Sequence, residues 1–120
     1  MKILFASPER DLLFVYQRLL GQRGHEVDTA FDGVQVLEGA RGKNYDAAIL
    51  DGSLPRVEIG TLADALMENK VYTVLLSDKE NKEKCDGYLA FPFLPEELFG
   101  ALRKVESRDR NKTGGTETSE

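Results

Sequence analysis

Residues 47–55, Ala47-Ala48-Ile49-Leu50-Asp51-Gly52-Ser53-Leu54-Pro55, pass through four apolar side chains, stop at a carboxylate and then turn. A short run that is apolar at every position and closed by turn formers reads as a strand covered on both faces. A second run of this kind, Ile3 to Ala6, lies ahead of it, and Val71 to Leu76 behind it supplies a further strand. Glu26 to Ala30 and the brief Tyr88 to Ala90 complete a set of five strands.

Helical spacing fills the gaps. Leu12, Leu13, Tyr16, Leu19 and Leu20 recur on one helix face, and Gly24 closes that helix. Ser7 is the expected cap, Pro8 suits the first helical position, and Glu9 suits the positive end of the helix dipole. Asp32 and Gln35 resemble a capping box ahead of a weaker stripe at Val34, Leu37 and Ala40. Leu62, Ala63 and Leu66 form a third helix, and Pro95-Glu96-Glu97 opens a last one carrying Leu98, Ala101, Leu102 and Val105.

Strands alternating with helices imply an α/β domain, a doubly wound five-stranded parallel sheet with right-handed crossovers. Chemistry in such a sheet is sought at the carboxyl ends of its strands. Those positions are Ser7-Pro8-Glu9, Asp51-Gly52-Ser53, Ser77-Asp78 and Phe91-Pro92. One interval is too short for the pattern. Only ten residues, 78–87, separate Ser77 from Tyr88, and Lys79 to Lys84 offer no apolar stripe. A helix there would have nothing to bury, so a loop or single turn is expected and the fourth helix is missing or reduced. Part of one sheet face should then lie open to a partner.

With 120 residues, the chain is sized for one domain. We read residues 1–107 as the folded domain and 108–120, polar throughout, as a disordered tail. Sixteen basic against 21 acidic residues give a net charge of −5, which argues against a dedicated nucleic-acid binder. The lone Cys85 excludes an internal disulfide and fits a reducing compartment. No apolar run reaches the ~20 residues of a membrane span, and the apolar start is too short for a signal peptide. The expectation is a cytoplasmic protein without membrane contact. His25 lies alone in a polar turn and is expected to be solvated.

The segments Lys2-Ile3-Leu4-Phe5-Ala6, Ala48 to Pro55, Val74-Leu75-Leu76-Ser77 and Tyr88-Leu89-Ala90-Phe91-Pro92-Phe93 together resemble the receiver domain of two-component response regulators. The resemblance covers about residues 2 to 105. It implies a CheY-like, flavodoxin-like (βα)5 fold in which Asp51 matches the phospho-acceptor carboxylate. In that family, magnesium is held by two acids after the first strand, by the acceptor, and by a carbonyl matching that of Ser53. A lysine before the proline that follows the fifth strand contacts the phosphoryl group. A hydroxyl matching Ser77 hydrogen-bonds that group, and an aromatic matching Tyr88 packs inward when it is engaged.

This chain departs from that pattern at the positions that handle charge. Ser7 and Pro8 replace the acidic pair, Phe91 replaces the lysine, and the Gly-x-x-Gly turn after Pro55 is altered to Arg56-Val57-Glu58-Ile59-Gly60. Phosphoryl transfer needs cations to neutralise the incoming oxygens, and a phenyl ring supplies none. Magnesium wants several oxygen ligands in near-octahedral geometry and is weakly held by a single carboxylate. Asp51 with Glu9, or with Asp78, would be the only acids to rebuild a weak site from.

Three functions follow. The first is an atypical, pseudo-receiver signalling module that binds a protein partner without aspartyl phosphorylation and needs no cofactor. Its partner would be a histidine kinase, another signalling protein or a second copy of the chain. The second is a working phospho-acceptor, modified at Asp51 by a histidine kinase through a rebuilt magnesium site. The third is a flavodoxin-like cofactor binder, which Ser7-Pro8-Glu9 disfavours because proline removes a donor and glutamate repels anions.

Overall fold

The computed structural model describes residues 1–77 and 84–118, the last twelve of these by backbone alone. The elements run β1 (Lys2–Ala6), α1 (Arg10–Gln22), β2 (Glu26–Ala30), α2 (Gly33–Gly42), β3 (Ala47–Asp51), α3 (Ile59–Glu68), β4 (Tyr72–Ser77), β5 (Gly87–Ala90) and α4 (Pro95–Thr118). All five strands are parallel, in the order β2-β1-β3-β4-β5. The doubly wound five-stranded sheet expected from the sequence is therefore the fold. No helix lies between β4 and β5 among the described residues, where 84–86 lead directly into β5. Asp78 and the stretch through Glu83 lie outside the described residues.

The alternation of side chains along each strand divides the core in two. On one face Ile3, Phe5, Ile49, Val74 and Leu76 meet Leu13 and Leu20 of α1 and Leu98 and Leu102 of α4. On the other, Leu4, Ala6, Leu50 and Leu75 meet Val36 of α2 and Leu62 and Leu66 of α3. β1 and β3 have both faces covered, which explains why their sequences are apolar without alternation. Each such side chain fully removed from water contributes about 1.5–3 kcal/mol before entropy is counted.

The helix ends follow local chemistry. Gly24 takes φ +91°, its N–H bonds the Gly21 carbonyl, and His25 N–H bonds the Leu20 carbonyl. This paired closure needs a left-handed residue, which glycine supplies without steric cost. At α2, Asp32 accepts from Gln35 N–H at 2.9 Å, while Gln35 Oε1 accepts from Phe31 N–H at 2.8 Å. The capping box thus closes one residue earlier than the standard pattern. Its buried stripe is Val36 and Ala40, with Val34 turned outward.

Two expectations are corrected by the structure. Helix α1 begins at Arg10, after Glu9, so neither Ser7 nor Pro8 starts it. His25 is not solvated: only 9% of its side chain is exposed, between the amino terminus and Glu106. Burial, then the N-terminal ammonium and Arg23, lower its pKa against the opposing pull of Glu106. The backbone of α4 is helical from Pro95 to Thr118. A helix already nucleated by packing at Leu98, Leu102 and Val105 propagates by adding one backbone bond per residue. Among the described residues, no helix is long and apolar enough to cross a membrane.

Candidate functional site

Register places the carboxyl ends of the central strands side by side: Ala6 pairs with Leu50, and Asp51 with Leu76. The residues following β1, β3 and β4 therefore converge, as the doubly wound layout requires. Asp51 ends β3 with only 4% of its surface exposed, and Ser7, just past β1, is wholly buried.

The two are hydrogen-bonded. Ser7 Oγ donates to Asp51 Oδ2 at 2.7 Å and itself accepts from Glu9 N–H at 3.0 Å. The other carboxylate oxygen, Oδ1, accepts from the Ser53 N–H at 2.9 Å and from its hydroxyl at 2.7 Å. A buried carboxylate is costly unless paired or hydrogen-bonded, and here three neutral donors from two loops do the pairing. Gly52 lies between Asp51 and β4. Its N–H bonds the Leu76 carbonyl at 2.7 Å, and a Cβ there would stand 3.1 Å from that oxygen and 3.8 Å from Ser77 Oγ. Glycine is needed for this approach, and it brings Ser77 alongside the site.

The β3–α3 loop continues this network outward. Pro55 C=O accepts from Gly33 N–H at 2.9 Å, at the first residue of α2. Arg56, at φ +84°, places its guanidinium 3.8 Å from Asp32. Val57 packs so closely on Gly33 that a Cβ at that glycine would sit 2.5 Å from the Val57 Cβ.

Phe91 belongs to a different environment. Its N–H bonds the Ser77 carbonyl at 3.0 Å, which holds the loop after β5 against β4. Its ring lies 5.4 Å from Phe93, which is 5.6 Å from Tyr16, which stacks on Phe5 at 5.5 Å. The side chain is thus part of an aromatic run into the α1/α4 core. Tyr88 points outward, 53% exposed, with its hydroxyl accepting from Cys85 N–H at 2.9 Å.

Of the expected site residues, the structure brings together Ser7, Asp51 and Ser53, with Ser77 beside them through Gly52. Pro8 is half-buried in the β1–α1 turn and offers no ligand atom. Glu9 is exposed at the cap of α1 and makes no side-chain capping bond. Among the described residues, no three of His, Cys, Asp and Glu come together. Among the described residues, one carboxylate with a hydroxyl donor on each oxygen is too few ligands to hold a magnesium ion well. The sequence reading assigned the Ser53 carbonyl a role but missed its hydroxyl. It also missed the aromatic run, because Phe5 on β1, Tyr16 on α1 and Phe91 and Phe93 after β5 meet only through the tertiary fold.

The parallel sheet order, the strand-end carboxylate and the loop geometry together define a CheY-like receiver domain. No protein-family model matches the chain. Over 118 residues it is 30% identical to the transcriptional regulatory protein TcrA of Mycobacterium tuberculosis, covering 90% of this chain and 47% of that protein. It is 29% identical over 128 residues to the transcriptional regulatory protein PrrA of Mycobacterium leprae, covering 98% of this chain and 55% of that one. The chain spans about half the length of the curated relatives it matches.

Solved structures agree on the fold. The chemotaxis response regulator CheY4 of Vibrio cholerae superposes with a TM-score of 0.77 at 24% identity, covering 87% of this chain and 97% of that one. The receiver domain of the sensor histidine kinase PA1611 of Pseudomonas aeruginosa, crystallised with magnesium in its active-site cleft, gives 0.78 at 22%, covering 88% and 97%. The chain is a response-regulator receiver domain of the two-component kind.

Proposed function

We propose that this receiver domain signals through its surfaces, by binding a protein partner, and does not pass through an aspartyl phosphate. The observation that carries this reading is Phe91. Where the family places a lysine to meet the phosphoryl group, this chain has a phenyl ring packed on Phe93 and facing the Tyr16 core. With the acidic pair also replaced by Ser7 and Pro8, no second acid joins Asp51 among the described residues to hold a cation there. Phosphoryl transfer to a weak nucleophile depends on such charge neutralisation.

The domain then carries out no reaction and requires no cofactor. The receiver-like unit is residues 1–107, 108–120 being a polar tail outside it, and the setting is the cytoplasm. Its partner is a protein, a histidine kinase or another component of the pathway, rather than nucleic acid or membrane. A second copy of the chain is the alternative partner, resolved by light scattering.

The test is direct. The domain is incubated with acetyl phosphate and magnesium, and its intact mass is followed beside that of Asp51→Asn. The reading predicts no adduct on either. An adduct on the native chain that Asp51→Asn abolishes would establish the rival reading, a working acceptor with a rebuilt metal site drawing on Glu9 or Asp78.

A further inference from the structure

We infer that Asp51 serves as a loop fastener, with the Ser7 hydroxyl occupying the role a cation would otherwise take. This rests on the reading above, since it assigns the carboxylate a task other than accepting a phosphoryl group. Both oxygens of Asp51 are engaged from outside its own strand. Ser7 reaches Oδ2 from the β1–α1 turn at 2.7 Å, and Ser53 reaches Oδ1 twice from the β3–α3 loop. Ser7 is oriented in turn by Glu9 N–H, so its proton is directed at the carboxylate.

The fastening extends to a third element. Downstream of Ser53 the loop is sewn to the start of α2 by the Pro55–Gly33 bond, by Arg56 beside Asp32, and by Val57 pressed on Gly33. One carboxylate thereby sets the relative positions of the turn before α1, the loop before α3 and the first turn of α2. Asp51 itself is only 4% exposed, and the neutral donors of buried Ser7 and of Ser53 at the surface satisfy it without a metal ion.

An asparagine replaces it only in part. With its amide NH2 toward Ser7 Oγ, which has a second lone pair to accept with, the Ser7 proton loses its acceptor; turned the other way, the NH2 faces the Ser53 N–H, a donor. Removing one partner from a buried hydrogen-bonded group leaves the other unsatisfied, which is the costly case.

Three single variants, Ser7→Ala, Ser53→Ala and Asp51→Asn, and the double variant Ser7→Ala/Asp51→Asn are compared by thermal unfolding. Amide hydrogen exchange at Gly33 is followed in parallel. The expected result is a fall in Tm of roughly 5–15 °C for Ser7→Ala and Asp51→Asn and a smaller fall for Ser53→Ala. The double variant should fall less than the sum of its parts, because each single variant already orphans the other group. Gly33, which touches none of the substituted side chains, should exchange roughly tenfold faster in each single variant.

A native or raised Tm in Asp51→Asn overturns the fastener, as does strict additivity of the double variant. If Asp51→Asn does not fold, Ser53→Ala still decides, since native exchange at Gly33 in that variant also overturns it. A phosphoryl adduct in the acetyl phosphate experiment would sink the functional reading instead, on a different sample and by a different readout.

Discussion

Ser7 Oγ and Asp51 Oδ2 stand 2.7 Å apart across 44 residues of sequence, joining the turn after β1 to the end of β3. In the receiver family, magnesium and the phosphoryl oxygens are held beside the matching carboxylate. Here a buried hydroxyl bonds that carboxylate, and the position matching the family's lysine is a phenylalanine packed on Phe93. The substitutions agree with one another, since removing two acids and a lysine together leaves no buried cation without a partner.

Phe91→Lys tests whether the ring is structural. The variant loses the contacts with Phe93 and directs an ammonium at an apolar layer. We expect a destabilisation of about 1–2 kcal/mol by urea unfolding, with no gain of phosphoryl acceptance. A variant as stable as the native chain would show that the aromatic run does not hold this loop.

Gly33→Ala probes the seam between α2 and the β3–α3 loop. A Cβ at this position meets backbone-anchored Val57 atoms at 2.5 and 2.9 Å, and a β-branched side chain cannot swing away. The loop must shift, at a cost of about 1–3 kcal/mol. Gly42→Ala, where nothing stands within 4 Å, is the control and should not destabilise the domain.

Tyr45 and Asp28 set part of the acid limb of stability. Tyr45 Oη donates to Asp28 Oδ2 at 2.7 Å, and that bond, helped by Lys43 and opposed by partial burial, lowers the carboxyl pKa. A lowered carboxyl pKa contributes stability that is present above the unfolded value and lost as pH falls through the folded one. Tyr45→Phe should flatten the Tm-against-pH curve below about pH 4. An unchanged acid limb would mean the bond carries no pH-dependent stability.

His25 gives a second window of pH dependence. Its pKa is lowered first by burial, then by the N-terminal ammonium and Arg23, with Glu106 opposing. The folded state therefore binds a proton less readily than the unfolded chain, and stability falls as pH drops below about 6.5. His25→Gln should remove this slope while leaving the curve above pH 7 in place. A slope unchanged by the substitution would assign it to other groups.

The fold was legible because burial leaves a strong mark on composition. The apolar runs at Ile3–Ala6 and Ala47–Leu50 are covered on both faces, and the stripe of α1 matches the side chains that pack. The ten-residue interval after Ser77 pointed to a reduced fourth helix. The site was legible only as an inventory of residue types. Ser7 reads as a helix cap because a serine before Pro-Glu usually is one, and only the register of β1 on β3 turns its hydroxyl toward Asp51. The burial of His25 was hidden for a related reason: its cover comes from Glu106 on α4 and from the amino terminus, both far away in sequence. No local pattern encodes such contacts.

The most direct test of the central claim is an amide NMR titration of the domain, first with magnesium to millimolar concentration and then with beryllofluoride as a phosphoryl mimic. Signalling without aspartyl phosphate predicts a dispersed spectrum in which Asp51, Gly52, Ser53 and Ser77 do not move at either step. Saturable shifts centred on those residues would contradict it, and would mean that the acceptor pocket still binds its metal and closes on a phosphoryl group.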